Sequence, residues 1–396
     1  MARALICPYC YEGFAAREIL FRCNARLSKA GKQCPRSRDQ VLDQRKGPRP
    51  SHDLGPVFAA DGRKSSAICP DCEGETNYRI CPVCHSALPV QFGMVDNRLI
   101  AMVGPKASGK TVYMTVLLHE VRHRVGEAFG ASLMGSDDAT MQRFSSDYEE
   151  RLYQDNQMFP PTSPASTTLN RVDPLVFRFG MRRRTLLGER PQHTVLSFFD
   201  TAGEDFSSQE NIELNTRYLA GADGIVLLLD PLQMPGARGH ALPGTMLPGS
   251  EALDPPGNVL SRVTTMLLAA RAGRPAQRID TPIAVVFSKI DAFWHHLDPG
   301  SPLRDHAPLT GRFDVNDSLS VHEEVRRLLK EWDGVPIDQL LDIHYTRYRY
   351  FGVSALGRNP TPEARVAATG IQPSRVADPL LWLLSEFGSV PKEGRG

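Results

Sequence analysis

The stretch MVGPKASGKT, residues 102–111, constrains this chain more than any other feature of its sequence. Gly104 is followed by four residues and then by the triplet G-K-T at 109–111, which is the phosphate-loop pattern G-x-x-x-x-G-K-[ST]. A turn of this kind between a strand and a helix directs several backbone N–H groups at one point, where the helix N-terminus adds partial positive charge. The pattern therefore predicts an α/β fold with a phosphate-binding turn.

The residues around this turn provide the context that a phosphate loop requires. Residues 98–104 form an apolar run that predicts a buried strand, and residues 110–125 have the pattern of an amphipathic helix. In such a loop the Lys110 amine reaches the terminal phosphates and the Thr111 hydroxyl ligates Mg2+. The predicted nucleotide-contacting residues are Gly104, Pro105, Lys106, Ala107, Ser108, Gly109, Lys110 and Thr111.

From residue 98 onward, apolar runs alternate with helical patterns, as expected of a mostly parallel sheet with helices on both faces. Strands are predicted at 98–104, 174–179, 194–200, 224–230, 282–291 and 347–357, and helices at 110–125, 139–154, 258–271, 318–332 and 376–388. Polar or Pro- and Gly-rich segments at 135–173, 231–257 and 295–317 predict surface insertions. The fold class is therefore α/β, with one domain over residues 98–390.

A second motif, FFDTAGED at residues 198–205, follows another apolar strand and contains the spacing D-x-x-G. Asp200 at the strand end can hold Mg2+ through a water, and the N–H of Gly203 can contact a γ-phosphate. A short turn of this kind can move when the phosphate leaves. The motif predicts a phosphate-sensing turn beside the first one.

A third motif, FSKID at residues 287–291, ends a buried strand, and its Lys289 and Asp291 match [NTS]-K-x-D. A carboxylate there can accept two hydrogen bonds, from N1–H and the N2 amine of guanine, and adenine offers no such pair. A fourth motif, VSALG, places Ser354 and Ala355 at the end of the last predicted strand, where a backbone N–H can meet guanine O6. Together these segments predict a guanine site.

In this order, each at a strand end, the motifs GPKASGKT, DTAGED, SKID and SAL resemble those of P-loop GTPases of the translation-factor and Ras-like class, called TRAFAC. The resemblance covers roughly residues 98–390 and implies a Ras-like P-loop NTPase fold that binds GTP or GDP with Mg2+. The catalytic residues that it implies are Lys106, Lys110, Thr111, Asp200, Gly203 and Glu204. Thr167 and Thr168 are the candidates for the Mg2+-binding threonine of the first switch.

Three positions depart from the family pattern. Lys106 stands where Ras-like members often have Gly, and three roles are open for it: it crowds the γ-phosphate, supplies charge to the transition state or points to solvent. Glu204 stands where a Gln commonly orients the attacking water, so slow hydrolysis is expected. Ser288 replaces the Asn of the base motif and loses a family contact.

All eight cysteines lie near the N-terminus, at Cys7, Cys10, Cys23, Cys34, Cys69, Cys72, Cys81 and Cys84. A C-P-x-C turn aims two thiolates at one ion, and four thiolates make a closed tetrahedral zinc site. His52 or His85 can replace a thiolate. Residues 1–90 are therefore predicted to be a domain that binds two Zn2+ ions, with a polar insert at 36–66 predicted to be a loop.

The sequence leaves the pairing of these cysteines open. One arrangement joins CPDC and CPVC in a short zinc ribbon and leaves the other four cysteines for the second site. The alternative interleaves the two sites, for instance Cys7 and Cys10 with Cys81 and Cys84.

The cysteine-rich unit followed by GPKASGKT also resembles the bacterial double-GTPase family, which implies a conflict or GTPase-associated system. The resulting hypothesis is a Mg2+-dependent GTP-binding switch with slow hydrolysis, whose zinc unit docks an unidentified protein partner. The alternatives are a P-loop ATPase, a nucleotide-locked pseudo-GTPase scaffold, and a zinc-ribbon nucleic-acid binder.

Composition narrows these choices. A net charge of +1 over 396 residues argues against a protein that coats nucleic acid, and the cysteine unit has few of the aromatics that such binding uses. No run approaches the roughly 18 apolar residues of a membrane span, and the N-terminus lacks the apolar stretch of a secretory signal. The chain is therefore predicted to be soluble and cytoplasmic, and no residue predicts its oligomeric state.

Overall fold

The computed structural model describes residues 4–105, 107–160, 174–185, 188–198, 216–249, 254–270, 278–305 and 309–394. The N-terminal unit is built of short strands and one helix. They are β1 (Leu5–Ile6), β2 (Gly13–Phe14), β3 (Leu20–Arg22), β4 (Ser37–Arg38), α1 (Gln40–Lys46), β5 (Asp53–Leu54), β6 (Val57–Ala59), β7 (Ala67–Ile68), β8 (Glu75–Thr76) and β9 (Arg79–Ile80).

The rest of the described chain has longer elements. Its strands are β10 (Asp96–Val103), β11 (Ala131–Gly135), β12 (Leu175–Thr185), β13 (Gly188–Phe198), β14 (Gly224–Leu229), β15 (Ile283–Phe287), β16 (Phe313–Asp314), β17 (Tyr348–Gly352) and β18 (Lys392–Glu393). Its helices are α2 (Lys110–Glu120), α3 (Gly126–Phe129), α4 (Asp138–Arg143), α5 (216–221), α6 (Pro235–Arg238), α7 (Pro256–Ala269), α8 (Val315–Glu331), α9 (Val335–His344) and α10 (Asp378–Glu386). Wider π-helical turns at Val121–Val125 and Phe144–Gln154 extend α2 and α4, and short 3-10 turns lie at Ala16–Glu18, Pro50–His52, Pro231–Gln233 and Ile290–Phe293.

Seven strands form the central sheet in the order β11-β12-β13-β10-β14-β15-β17. The run from β13 to β17 is parallel, and β11 and β12 are antiparallel to their neighbours. Every residue of β14 and β15 is buried, as expected for strands with helices on both faces. The expected α/β fold with a mostly parallel sheet is confirmed.

Two apolar cores lie on the two faces of this sheet. On one face, α5, α7, α8 and α9 pack with Leu99 and Ala101 of β10 and with Leu227 of β14. On the other face, α2 and α10 pack with the intervening residues of the same strands, such as Met102 and Leu228. This alternation follows from the opposite directions of successive side chains in a strand. Among the described residues, no helix has both the length and the apolar composition of a membrane span.

The expectation of a loop at 36–66 is wrong. This segment contains β4, α1, β5 and β6, and Asp39 fixes its position in the N-terminal unit. The Asp39 carboxylate caps α1 by accepting a hydrogen bond from the N–H of Leu42 at 3.0 Å, and it is buried against Arg22 and His85. Those partners are distant in sequence, so the polar composition of the segment did not reveal them.

Parts of two other predicted insertions are also buried. Residues 231–257 include the buried Leu232 and Met234, and residues 295–317 include the buried Leu297 and Leu303. All four belong to the core that α7 and α8 also form. The structure adds β11 and α9, which the sequence did not predict. The insertion at 135–173 begins with the helical segment expected at 139–154, and residues 161–173 lie outside the described residues.

Tyr218 of α5 joins the N-terminal unit to the central strand. Its hydroxyl accepts a hydrogen bond from the N–H of Met102 at 2.8 Å and donates to the carbonyl of Ile100 at 3.4 Å. Its ring lies 5.0 Å from the ring of Tyr11, which follows Cys10 directly. Tyr218 is only 2% exposed, so these contacts are shielded from water.

We expect Tyr218→Phe to lower the free energy of unfolding by about 1–3 kcal/mol, because it removes an acceptor from the buried N–H of Met102. Denaturant unfolding measures this change. The matched control is Tyr78→Phe, at a half-exposed tyrosine, which should leave stability within about 0.5 kcal/mol. Equal stability of the two variants would contradict the role assigned to the Tyr218 hydroxyl.

Candidate functional site

The predicted phosphate turn lies between β10 and α2, and its backbone depends on glycine at two points. A Cβ at Gly104 would lie 2.3 Å from the carbonyl oxygen of Leu228, so only glycine fits there. Gly109 has φ of 85° and is the N-cap of α2, and Ala107 has φ of 61°. The turn therefore points backbone groups toward the N-terminus of α2, as a phosphate site needs. Lys106 lies outside the described residues.

Lys110 closes this turn from inside. Its amine donates to the carbonyls of Gly104 at 2.8 Å and Pro105 at 2.9 Å. The two carbonyls hold the ammonium group of Lys110 at the open side of the turn. The oxygens of a bound phosphate would compete with them for the same N–H donors. The buried Ser108 hydroxyl has no hydrogen-bond partner among the described residues, so a polar group beside the turn remains available to a ligand.

The S-K-I-D segment after β15 is hydrogen-bonded to the phosphate turn. The Lys289 amine donates to the carbonyl of Ala107 at 3.0 Å and to the buried carboxylate of Asp230 at 2.6 Å. The Ser288 hydroxyl lies 3.0 Å from the carbonyl of Ser108 and 3.1 Å from that of Leu229, positions from which it can donate to either. The serine in the usual place of asparagine thus still connects the base motif to the turn.

The side chain of Asp291 is buried near the end of β17. Burial raises the pKa of its carboxyl above the ordinary value, and a hydrogen bond with Ser354 opposes that rise. The N–H of Ser354 already donates to the carbonyl of Ser374 at 3.1 Å. The contact of a backbone N–H at this strand end with guanine O6 stays a prediction.

Several predicted site residues cannot be placed. Asp200, Gly203, Glu204, Thr167 and Thr168 lie outside the described residues, as does Lys106. Strand β13, which leads to the D-x-x-G motif, is described up to Phe198 and runs parallel to β10. The motif itself and the Mg2+ contacts of Thr111 and Asp200 stay predictions.

The cysteines form two clusters of four, and the pairing is the interleaved one. The first cluster contains Cys7, Cys10, Cys81 and Cys84, and the second contains Cys23, Cys34, Cys69 and Cys72. The short ribbon of CPDC with CPVC is therefore wrong, because each of these turns faces a different, distant pair. His52 contacts Asp43 and His85 contacts Asp39, so neither histidine belongs to a cluster.

The spacing of the sulfur atoms fits zinc. Cys7 and Cys84 are 3.8 Å apart between Sγ atoms, Cys10 and Cys81 are 3.8 Å apart, and two pairs of the second cluster are 3.5 and 3.7 Å apart. A ZnS4 tetrahedron with Zn–S bonds of about 2.3 Å has edges of about 3.8 Å. A disulfide would need about 2.05 Å. Both clusters are thus fit to hold one Zn2+ each.

The three C-P-x-C turns share one backbone geometry. In each, the residue directly after the second cysteine donates its N–H to the carbonyl of the first cysteine. The donors are Tyr11, Glu73 and His85, at distances of 3.0, 3.0 and 3.1 Å, and their φ angles are 61°, 61° and 54°. Because the three turns are alike, local spacing did not indicate which turn pairs with which.

Backbone N–H groups lie close to several of the sulfurs. The N–H of Tyr9 lies 3.4 Å from Cys7 Sγ, and the N–H of Ala25 lies 3.3 Å from Cys23 Sγ. A hydrogen bond from Gly74 lowers the pKa of the Cys72 thiol to about 7, whereas burial raises the pKa of the Cys7 and Cys23 thiols, whose deprotonation would be coupled to metal binding. Four thiolates leave no position for a substrate, so zinc in these centres would support folding.

Pairs of Cys→Ser changes test the interleaving. Cys10→Ser with Cys81→Ser should leave one bound zinc, because both substitutions fall in the first cluster, whereas Cys69→Ser with Cys81→Ser should leave none. Native mass spectrometry counts the ions. The short-ribbon pairing gives the reverse result, no zinc in the first double variant and one in the second, so each pair serves as the control for the other.

Comparisons with known proteins are consistent with this geometry. A family model described as Double-GTPase 2 matches residues 98–332. A curated relative, the putative ESX-1 scaffolding and assembly protein SaeC of Mycolicibacterium smegmatis, is 32% identical in an alignment 333 residues long that covers 78% of this chain and 80% of that protein.

Solved GTPase structures are more distant. A bacterial selenocysteine-specific elongation factor is 14% identical, with a TM-score of 0.28, over 74% of this chain and 29% of that protein. The small GTPase Arl6 of Trypanosoma brucei is 12% identical, with a TM-score of 0.29, over 74% of this chain and 98% of its own. The family model spans more than half of the chain and contains the phosphate turn and the base motif. The chain therefore belongs to the Double-GTPase 2 family.

Proposed function

We propose that this chain is a GTP-binding switch that hydrolyses GTP slowly with Mg2+. The observation that carries the proposal is the direct contact between the phosphate turn and the base motif, made by Lys289 on Ala107 and Ser288 on Ser108. With these contacts, one bound nucleotide can reach both the Lys110 amine and the Asp291 carboxylate. Because the base-binding motif and the phosphate turn are in contact, the site favours a nucleotide over inorganic phosphate or another phosphate ester.

Guanine is the base that this site supports. The buried Asp291 carboxylate would be left without its two donors if adenine replaced guanine, and an unpaired buried charge is costly. The proposed nucleotide contacts are therefore those of the phosphate turn, 104–111, with Lys289, Asp291 and Ala355. Mg2+ would be bound by Thr111 and, through a water, by Asp200.

The rate of hydrolysis separates a switch from a scaffold. Glu204 takes the usual place of a glutamine that orients water, which supports slow turnover. The relative SaeC is described as a scaffolding and assembly protein, and that description favours a second candidate, a nucleotide-locked scaffold. The proposal of a role in a conflict system is supported by the sequence resemblance alone.

Partner docking belongs to the second cysteine cluster in this proposal. The first cluster packs against Val176 and Val195 of the central sheet. The second cluster has the exposed side chains of Leu27 and Ile68 near it in sequence, and these can contact a protein.

The test is titration of zinc-loaded protein with labelled GTP, GDP and ATP, with Mg2+ and with EDTA, followed by single-turnover hydrolysis. Guanine-selective binding with slow turnover supports the switch, and guanine-selective binding without turnover supports the scaffold. Binding of ATP as tight as that of GTP would overturn both in favour of an ATPase.

Lys110→Ala should weaken GTP binding about 100-fold or more, because the charge that meets the phosphates is lost. Fluorescence titration with labelled GTP measures the change. Lys330→Ala, at an exposed lysine of α8, is the control and should bind like the unmodified chain. Retained affinity in Lys110→Ala would remove the phosphate-loop assignment.

Asp291→Asn should shift the preference from guanosine to xanthosine nucleotides, because an amide donates where guanine also donates and xanthine has a carbonyl. We expect guanine affinity to fall about 100-fold in a competition titration. Asp298→Asn, an exposed carboxylate of the same region, is the control. An unchanged base preference in Asp291→Asn would show that another group reads the base.

A further inference from the structure

A third group of metal-ligating side chains lies apart from both cysteine clusters and from the nucleotide site. His240, His296 and Glu331 bring two imidazoles and one carboxylate together, with their ligand atoms all within 4.8 Å of one another. We propose that these three residues form a third metal site, which takes Zn2+ or a similar divalent transition ion.

The distances suit such an ion. The Nε2 of His296 lies 2.5 Å from Glu331 Oε1, the Nε2 of His240 lies 3.8 Å from the same oxygen, and the two ring centroids are 4.1 Å apart. Ligands at about 2.0–2.1 Å in a tetrahedron are about 3.4 Å from one another. Shifts of about 1 Å in side chains that are partly exposed would therefore give this spacing.

The backbone that bears each ligand is held by hydrogen bonds or by core packing. The N–H of His240 donates to the carbonyl of Ala237 at 2.9 Å, and the N–H of His296 donates to that of Phe293 at 2.8 Å. Glu331 precedes Trp332, whose buried ring lies 4.8 Å from the ring of Phe293. The backbone positions are thus set, and only the side chains need to adjust to a metal.

The two carboxylate oxygens of Glu331 have different neighbours, and Oε1 is the one that faces the histidines. Arg327 contacts the other oxygen, Oε2, at 3.2 Å, and its remaining donors bind Glu324 at 2.9 and 3.0 Å. A guanidinium on the second oxygen orients the carboxylate in the way that outer partners orient metal ligands. The three side chains are 25–36% exposed, so an ion can enter from solvent and keep a water ligand.

A similar group beside α2 is less suited to metal. There His119 and His123 lie near Glu149, and Arg122 contacts the second oxygen of that carboxylate at 2.8 Å, as Arg327 does at Glu331. The difference is the ring of Tyr153, which stacks on His119 at 4.0 Å and holds it against the protein. This group therefore serves as a comparison in the test.

The choice of ion follows from the ligands. Imidazole nitrogen with one carboxylate suits Zn2+, Ni2+ or Cu2+ and does not suit Mg2+ or Ca2+, which prefer oxygen ligands alone. The first two zinc ions bind thiolates, so Co2+ distinguishes the third site spectroscopically. Co2+ bound by thiolate shows intense sulfur charge-transfer absorption, and Co2+ bound by these three residues lacks it.

The experiment begins with the zinc-loaded chain, in which both cysteine clusters are filled. Added Zn2+ is followed by calorimetry and native mass spectrometry, and added Co2+ by absorption. The expected result is one further ion, without a sulfur charge-transfer band. His296→Ala and Glu331→Gln should each weaken that ion's binding at least about tenfold.

His295→Ala is the matched control, because this exposed neighbour of His296 is outside the group. It should bind the third ion as the unmodified chain does. Thermal unfolding of each variant in the absence of added metal shows that the fold is retained. Three outcomes would overturn the proposal: a chain that holds only two ions, a third ion that persists in both His296→Ala and Glu331→Gln, or one lost in His123→Ala instead.

Discussion

The parallel pairing of β13, β10, β14, β15 and β17 is the constraint on which the rest of the molecule depends. Parallel strands end at the same edge of a sheet, so the segments that follow them meet there whatever their separation in sequence. This is why Lys289 can reach Ala107, and why Asp230 after β14 can pair with Lys289. The contact also needs close approach of the backbones, which the absence of a side chain at Gly104 permits.

The cysteine-rich unit is part of the same body. Its first cluster packs with Val176 of β12 and Val195 of β13, and Tyr11 joins the core on the α5 face of the sheet. A unit of short strands buries little apolar surface, and metal binding can replace that missing core. The unit is therefore attached to the sheet through its first cluster, whereas the second cluster packs with Phe58 of β6.

The sequence predicted the parts of the structure that depend on neighbouring residues. Continuous apolar runs identified β10, β14 and β15, and the motifs at their ends identified the turn and the base segment. Contacts between residues far apart in sequence could not be predicted. The three C-P-x-C turns have the same geometry, so only their positions in the fold determine which cysteines they meet. Likewise, Asp39 orders a polar segment through its contacts with Arg22 and His85. The group at His240, His296 and Glu331 was missed for the same reason, because its members come from three separate elements.

Tyr218 has a consequence for the energetics of the whole chain. Its hydroxyl is bound to β10, its ring touches Tyr11, and the neighbouring Arg217 pairs with Glu12 at 2.9 Å. A displacement of α5 that separates these residues also disturbs the turn that presents Cys7 and Cys10. Binding equilibria linked in this way are reciprocal, so a ligand that displaces α5 would change the affinity of the first cysteine cluster for a metal by the same free energy by which that metal changes the affinity for the ligand.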